Sequence, residues 1–148
     1  MKFVIQRVQN ASVTVDGRTI GSIEKGCLIL VGISDRDTEE TADKMLKKAC
    51  NLRIFDDEND RINLSLKDVN GELLIVSQFT LYANCKKGNR PSFFDAGSPE
   101  HANKLYEYII KQASLYTNKV SHGKFGADMK VSLLNDGPFT IILDSDEL

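Results

Sequence analysis

Two runs near the N-terminus, KFVIQRV (2–8) and ASVTVDG (11–17), are rich in β-branched and aromatic residues, and Asp16-Gly17 supplies a turn. They predict two paired strands. CLILVGIS (27–34) is a continuous apolar run with a glycine near its end, the pattern of a strand buried on both faces. The period then changes from two to three and four. Asp37, followed by Glu40, reads as a capping box, and Ala42, Met45, Leu46, Ala49 and Leu52 recur at helical spacing behind it. FDDENDR (55–61) is an acidic loop, after which Ile62, Leu64 and Leu66 alternate, and Asn70-Gly71 turns the chain into a buried strand, ELLIVSQFTLY (72–82). A long irregular loop, ANCKKGNRPSFFDAG (83–97), ends at Ser98-Pro99-Glu100, which predicts a helix start with serine as cap and proline at the first position. Ala102, Leu105, Ile109, Ile110, Ala113 and Tyr116 form the apolar face of that helix. FGADMKVSLLN (125–135) and FTIILD (139–144) read as two last strands on either side of Gly137-Pro138.

The order is strands, helix, strands, helix, strands, with both helices covering one face of a sheet system. The expected fold is α/β, a three-layer α/β/β single domain over 1–148 with mixed sheets and two main helices. A chain of 148 residues needs no second domain. With 41% hydrophobic and 27% charged residues it has the composition of a soluble globular protein, and no apolar run approaches the length of a membrane span. Gln6 and Arg7 interrupt the N-terminus where a signal peptide needs its apolar core, so the expected location is cytoplasmic.

Cys27, Cys50 and Cys85 form no CxxC pair, and His101 and His122 are the only histidines available to complete a metal site. A structural zinc is not expected, and an odd cysteine count points to reduced thiols. Cys27 and Cys50 fall in core patterns. The formal net charge of −2 excludes a global basic field of the kind a general nucleic-acid coat protein carries. Local clusters remain, Lys86, Lys87 and Arg90 in one loop and Lys119 and Lys124 in another, and solvated loop charge is their plain explanation.

Candidate chemistry is sparse. Ser77, Gln78 and Thr80 end an otherwise apolar strand, where active sites often sit in α/β sheets, although such groups also satisfy nearby backbone. A conventional serine hydrolase would set Ser77 in G-x-S-x-G, but Val76 and Gln78 flank it. Nothing in the sequence brings Cys85, His122 and Asp128 together as a thiol site. The glycines of HGKFGADM precede a strand rather than a helix, so they make no phosphate loop. Gly137-Pro138 is the odd feature, because proline cannot donate to a sheet ladder, yet buried-looking sequence resumes at once after it.

SQFTLY (77–82) and NDGPFT (135–140) resemble the two signature motifs of the D-aminoacyl-tRNA deacylases. IQRV with ASVTVDG, KKGNRPSF (86–93) and GKFGADM (123–129) match in the same order, so the resemblance spans nearly the whole chain. One departure is Phe139, where the family pattern more often has a smaller β-branched residue.

The resemblance implies a homodimeric enzyme of translation proofreading that takes no cofactor and no metal. It hydrolyses the ester joining a D-amino acid to the terminal adenosine of tRNA, and it also removes glycine. Ser77, Gln78, Phe79 and Thr80 would form the catalytic segment, with backbone amides around Gln78 and Phe79 as the oxyanion hole and no covalent nucleophile. Gly137-Pro138, in cis, would reach into the pocket from the partner subunit and reject L-aminoacyl esters. Phe125 and Met129 would line the pocket, and Lys86, Lys87, Arg90 and Lys124 would contact tRNA phosphates. The missing His-Asp pair would then be explained by RNA-assisted catalysis through the ribose 2′-hydroxyl. Two other readings stay open: a small-molecule Ser or Cys esterase, and a non-catalytic tRNA-binding module.

Overall fold

The structure is a computed structural model that describes all residues, Met1–Leu148. β1 (Lys2–Val15) turns at Asp16-Gly17, both in the left-handed region, into β2 (Arg18–Ile23), and β3 (Gly26–Gly32) follows. α1 (Glu39–Asn51) leads to a small ribbon of β4 (Phe55–Asp56) and β5 (Ile62–Leu64). β6 (Glu72–Ser77) ends in a 3₁₀ turn, Phe79–Tyr82, and after a long loop come α2 (Pro99–Ala113), β7 (Val120–His122) and β8 (Lys130–Asp144). The main sheet is mixed: β2-β1-β3-β6-β7, with β8 on the other side of β1. β3 runs parallel to β6, and β6 to β7, while every pair involving β1 is antiparallel.

The two apolar runs at the N-terminus are not two paired strands, as their separation predicted, but one bent strand. Phe3 and Ile5 face the helices, whereas Val8, Ala11 and Val13 belong to the core on the opposite face. The side-chain period of a strand is two, so this change of parity requires an extra residue. It sits between Val8 and Ala11, where three steps of β1 oppose two of β8, from Asn135 to Leu133. Below the bulge β1 pairs with β3, and above it with β2.

The larger core lies between the sheet and the helices. Cys27, Ile29 and Val31 of β3 and Leu73 and Ile75 of β6 pack there with Met45 and Leu46 of α1 and Leu105 and Ile109 of α2. The alternate residues of the same strands, Leu28, Leu74 and Val76, turn to the second core with Val8, Val13 and Ile23. The sheet curls around that second core until β2 meets β7: the Ser121 hydroxyl donates to Ser22 O at 3.0 Å, and a methyl added at Gly21 would lie 2.8 Å from His122 O.

The start of α1 differs from expectation. Its cap is Thr38, which accepts from the Thr41 amide, while the Thr41 hydroxyl accepts from the Thr38 amide. Asp37 is withdrawn into the core, where one carboxylate oxygen takes the amide and hydroxyl of Ser34 and the other pairs with the Met1 ammonium at 2.7 Å. For α2, Ser98 and Pro99 do open the helix, but the Ser98 hydroxyl donates to Asp35 and makes no side-chain cap. No helix is long and apolar enough to cross a membrane.

Candidate active site

β6 leaves the sheet at Ser77, its last paired residue, opposite Val31. The expected strand over 72–82 stops there because the chain folds into the 3₁₀ turn, anchored by the Gln78 amide on Val31 O at 2.8 Å. Gly32 makes this possible: a methyl on it would lie 2.9 Å from Leu81 Cβ and 3.3 Å from Gln78 O, so the turn rests directly on the β3 backbone. The Phe79 and Thr80 amides open the turn and have no acceptor inside it. The Gln78 amide, one of the expected oxyanion donors, is already used by Val31 O, and the unused donors lie one and two residues further on. The Gln78 side-chain amide donates to the Thr80 hydroxyl and fixes both side chains over the turn.

Beside the turn lies a cavity of about 600 Å³. Ser77, Gln78 and Phe79 form one wall, and Phe125 and Met129 form another. The third wall is the start of α2 and the segment before it, Ala96, Gly97, Pro99 and Ala102, which sequence reasoning did not single out. Its sequence signals were the helix-start pattern at Ser98-Pro99 and Ala102 on the helix's apolar face, both read as structure alone. Gly97 packs closely there, where a methyl would come within 3.1 Å of Ile33 O. Most of the cavity is apolar, and only Ser77, Gln78 and Asp128 bring polar side chains to it. Met129 is seated against Gly123, whose missing side chain leaves room for the Met129 sulfur. Phe125 leans on the Tyr106 ring, with centroids 6.0 Å apart.

Phe93 closes the cavity from the long loop and meets Phe79 edge to face, centroids 5.0 Å apart. Lys86, Lys87 and Arg90 are exposed on that loop, and Lys124 is exposed next to Phe125. Thr80 does not line the cavity itself and is held at its edge by Gln78. Cys85 lies on a different cleft from Asp128, and the His122 ring bonds Gly123 O, so the thiol constellation does not assemble. His101 bonds Asp37 O at 2.9 Å. Cys27 and Cys50 are buried, and burial pushes both thiols up to about 12.

Gly137 and Pro138 are exposed and line no part of this cavity. The two expected strands around them are one strand, β8, interrupted where two steps of β1 oppose five residues of β8. The excess is thrown out as a loop, and the Gly137-Pro138 bond within it is cis. The Asn135 side chain closes its base, accepting from the Phe139 amide at 3.1 Å and donating to Phe139 O and Arg7 O, each at 2.9 Å. Arg7, only 7% exposed, holds the other side. Its guanidinium donates to Asp136 O at 3.0 Å and Ile54 O at 2.7 Å and lies over the Phe139 ring, 4.8 Å from the centroid. The loop is therefore a rigid projection, presented outward from the far side of β1.

The profile of the D-Tyr-tRNA(Tyr) deacylase family matches residues 4–144. The D-aminoacyl-tRNA deacylases of Thermosipho africanus and Clostridium novyi are 55% and 56% identical over 145 residues, 98% of this chain and 97% of each relative. A solved structure described as c-Myc DNA unwinding element binding protein is 43% identical with a TM-score of 0.91, over 97% of this chain and 98% of that one. A second, described as a probable eukaryotic D-amino acid tRNA deacylase, shares the fold with a TM-score of 0.82 at 18% identity, over 96% and 97%.

Proposed function

The chain belongs to the D-Tyr-tRNA(Tyr) deacylase family and is a D-aminoacyl-tRNA deacylase, a hydrolase of translation proofreading, and we propose that the cavity beside the 3₁₀ turn holds the aminoacyl ester at the tRNA 3′ end. The observation that carries this reading is convergence: Ser77, Gln78, Phe79, Phe125 and Met129 line one cavity whose edge presents backbone amides without acceptors in the turn.

Water attacks the ester carbonyl, assisted by the neighbouring ribose 2′-hydroxyl, and the bond to the ribose oxygen breaks. The Phe79 and Thr80 amides receive the developing oxyanion, a contribution of about 3–4 kcal/mol for one well-aimed donor. Ser77 and Thr80 orient the substrate and form no covalent bond with it. The apolar walls take side chains of different size, which suits an enzyme that reads the α-carbon and not the side chain.

Selection against L-esters falls to Gly137-Pro138, delivered by a second copy of the chain. The loop lines no part of its own cavity, β8 has a free edge, and Leu133, Leu134 and Ile142 beside the loop are exposed. A homodimer built along this edge covers those apolar side chains, completes the α/β/β layering and carries the loop to the partner's cavity. A main-chain carbonyl held there leaves room for hydrogen but collides with an L side chain. About 5.5 kcal/mol of collision excludes L-esters by about 10⁴. Glycyl-tRNA, with two hydrogens on its α-carbon, passes. Lys86, Lys87, Arg90 and Lys124 contact phosphates, and the enzyme works in the cytoplasm, where tRNA is charged.

The test is hydrolysis of D-tyrosyl-, L-tyrosyl- and glycyl-tRNA by chelator-treated protein. Loss of the D and glycyl esters with the L ester spared is the expected result. Equal loss of D and L esters contradicts the selective loop, and trapping of an acyl group on Ser77 or Thr80 contradicts the water mechanism.

A further inference from the structure

Phe94 is 93% exposed, more than any other large apolar side chain of the chain, and it follows directly the Phe93 that closes the cavity. Exposure of one apolar residue is ordinary, but the setting of this one is not. Its loop is held by the Asn84–Ser92 bridge, whose two backbone bonds measure 2.7 and 3.0 Å, so Phe94 stands on a closed base. Between Asn84 and Asp95 the loop carries Lys86, Lys87 and Arg90 against one acid, Asp95, in a chain whose net charge is −2. An exposed ring in a local excess of cations beside a cavity mouth is the combination that holds single-stranded nucleic acid: rings stack on bases and cations track the phosphates.

We propose that Phe94 is a stacking platform for the unpaired nucleotides that precede the terminal adenosine of tRNA. The inference rests on the deacylase reading of the neighbouring cavity. With the adenosine ester in that cavity, the next nucleotides leave past Phe93, and the ring that adjoins it in the chain and stands free is Phe94. The flanking cations neutralise their phosphates. Phe94 makes no contact with the reacting atoms, so its contribution depends on RNA beyond the last nucleoside.

The test compares two substrates on one enzyme, D-tyrosyl-tRNA and the D-tyrosyl ester of adenosine, which ends where the proposed platform begins. F94A is expected to lower kcat/KM on the tRNA about tenfold relative to the adenosine ester, the fold-change that a single stacked base supplies. F94W, which keeps a stacking face, is expected to restore the ratio. A ratio unchanged in F94A, an equal loss on both substrates, or an altered oligomeric state of F94A would overturn the proposal, the last by making Phe94 an interface residue. Wild-type protein inactive on both esters would instead overturn the deacylase reading, and the platform with it.

Discussion

Arg7 decides how firmly the Gly137 loop is held. It is buried, and two of its bonds go to main-chain carbonyls, Asp136 O and the buried Ile54 O. Lysine keeps the charge but not the fork. Arg7→Lys is expected to lose about 1–3 kcal/mol of stability through an unpaired carbonyl. It should also raise the ratio of L- to D-ester hydrolysis, which a purely structural loss would leave alone. Gly137→Ala acts on the same loop from inside. At φ +138 a methyl would crowd the Phe139 amide nitrogen at 3.1 Å and Arg7 Nη2 at 3.3 Å, a strain of about 1–3 kcal/mol. Chiral selectivity is expected to fall further than the rate on D-esters, as assayed with matched D- and L-tyrosyl-tRNA. The cysteines separate by burial: Cys27 and Cys50, pushed up to about 12, stay protonated and shielded, while Cys85 is exposed. Mass spectrometry after brief alkylation near pH 8 should find one label on native protein, at Cys85, and three after denaturation. The sequence showed Arg7 as a charge where a signal peptide needs apolar residues and as part of IQRV, but not its hold on the loop, because its partners lie 47 and 129 residues away.

Elements were legible where periodicity alone determines them. Both helices and the buried strands around Leu28 and Leu74 follow from apolar spacing. What the spacing missed were places where a local rule met a distant partner. Asp37 looked like a helix cap, but the Met1 ammonium and the Ser34 amide draw its carboxylate inward and leave capping to Thr38. The runs at 2–8 and 11–17 looked like two strands because a bulge breaks their alternation, although the backbone continues through it. The turn at Phe79 was read as strand, since its apolar residues share the strand's composition and only the bare Gly32 backbone lets it fold down. Gly32→Ala tests that junction. Its methyl meets Leu81 Cβ at 2.9 Å, so the turn must lift, at an overpacking cost of about 1–3 kcal/mol. The expected kinetic signature is a fall in kcat of at least about tenfold with a smaller change in KM, because displaced amides serve the transition state more than the ground state.

At the scale of the whole molecule, one chain carries a cavity and a rigid loop that do not meet. Five of the residues expected at the site line that cavity, while Gly137 and Pro138 are exposed and line no part of it. Sequence order cannot reveal such a division, because both motifs lie on the same chain whether they act together or across two copies. The free edge of β8, with Ile142 at 72% and Leu134 at 50% exposed along it, supports the second arrangement. Leu134→Lys with Ile142→Lys is expected to give a folded monomer by sedimentation that has lost its selectivity. The most direct measurement uses a purified heterodimer that joins a subunit with a disabled 3₁₀ turn, Gly32→Ala, to one with a disabled loop, Gly137→Ala. If the loop guards the partner's cavity, one site keeps both intact parts and hydrolyses D-tyrosyl-tRNA at about half the wild-type rate while sparing the L ester. If the loop guards its own cavity, no site is intact, and hydrolysis of the L ester alongside the D ester would contradict the account.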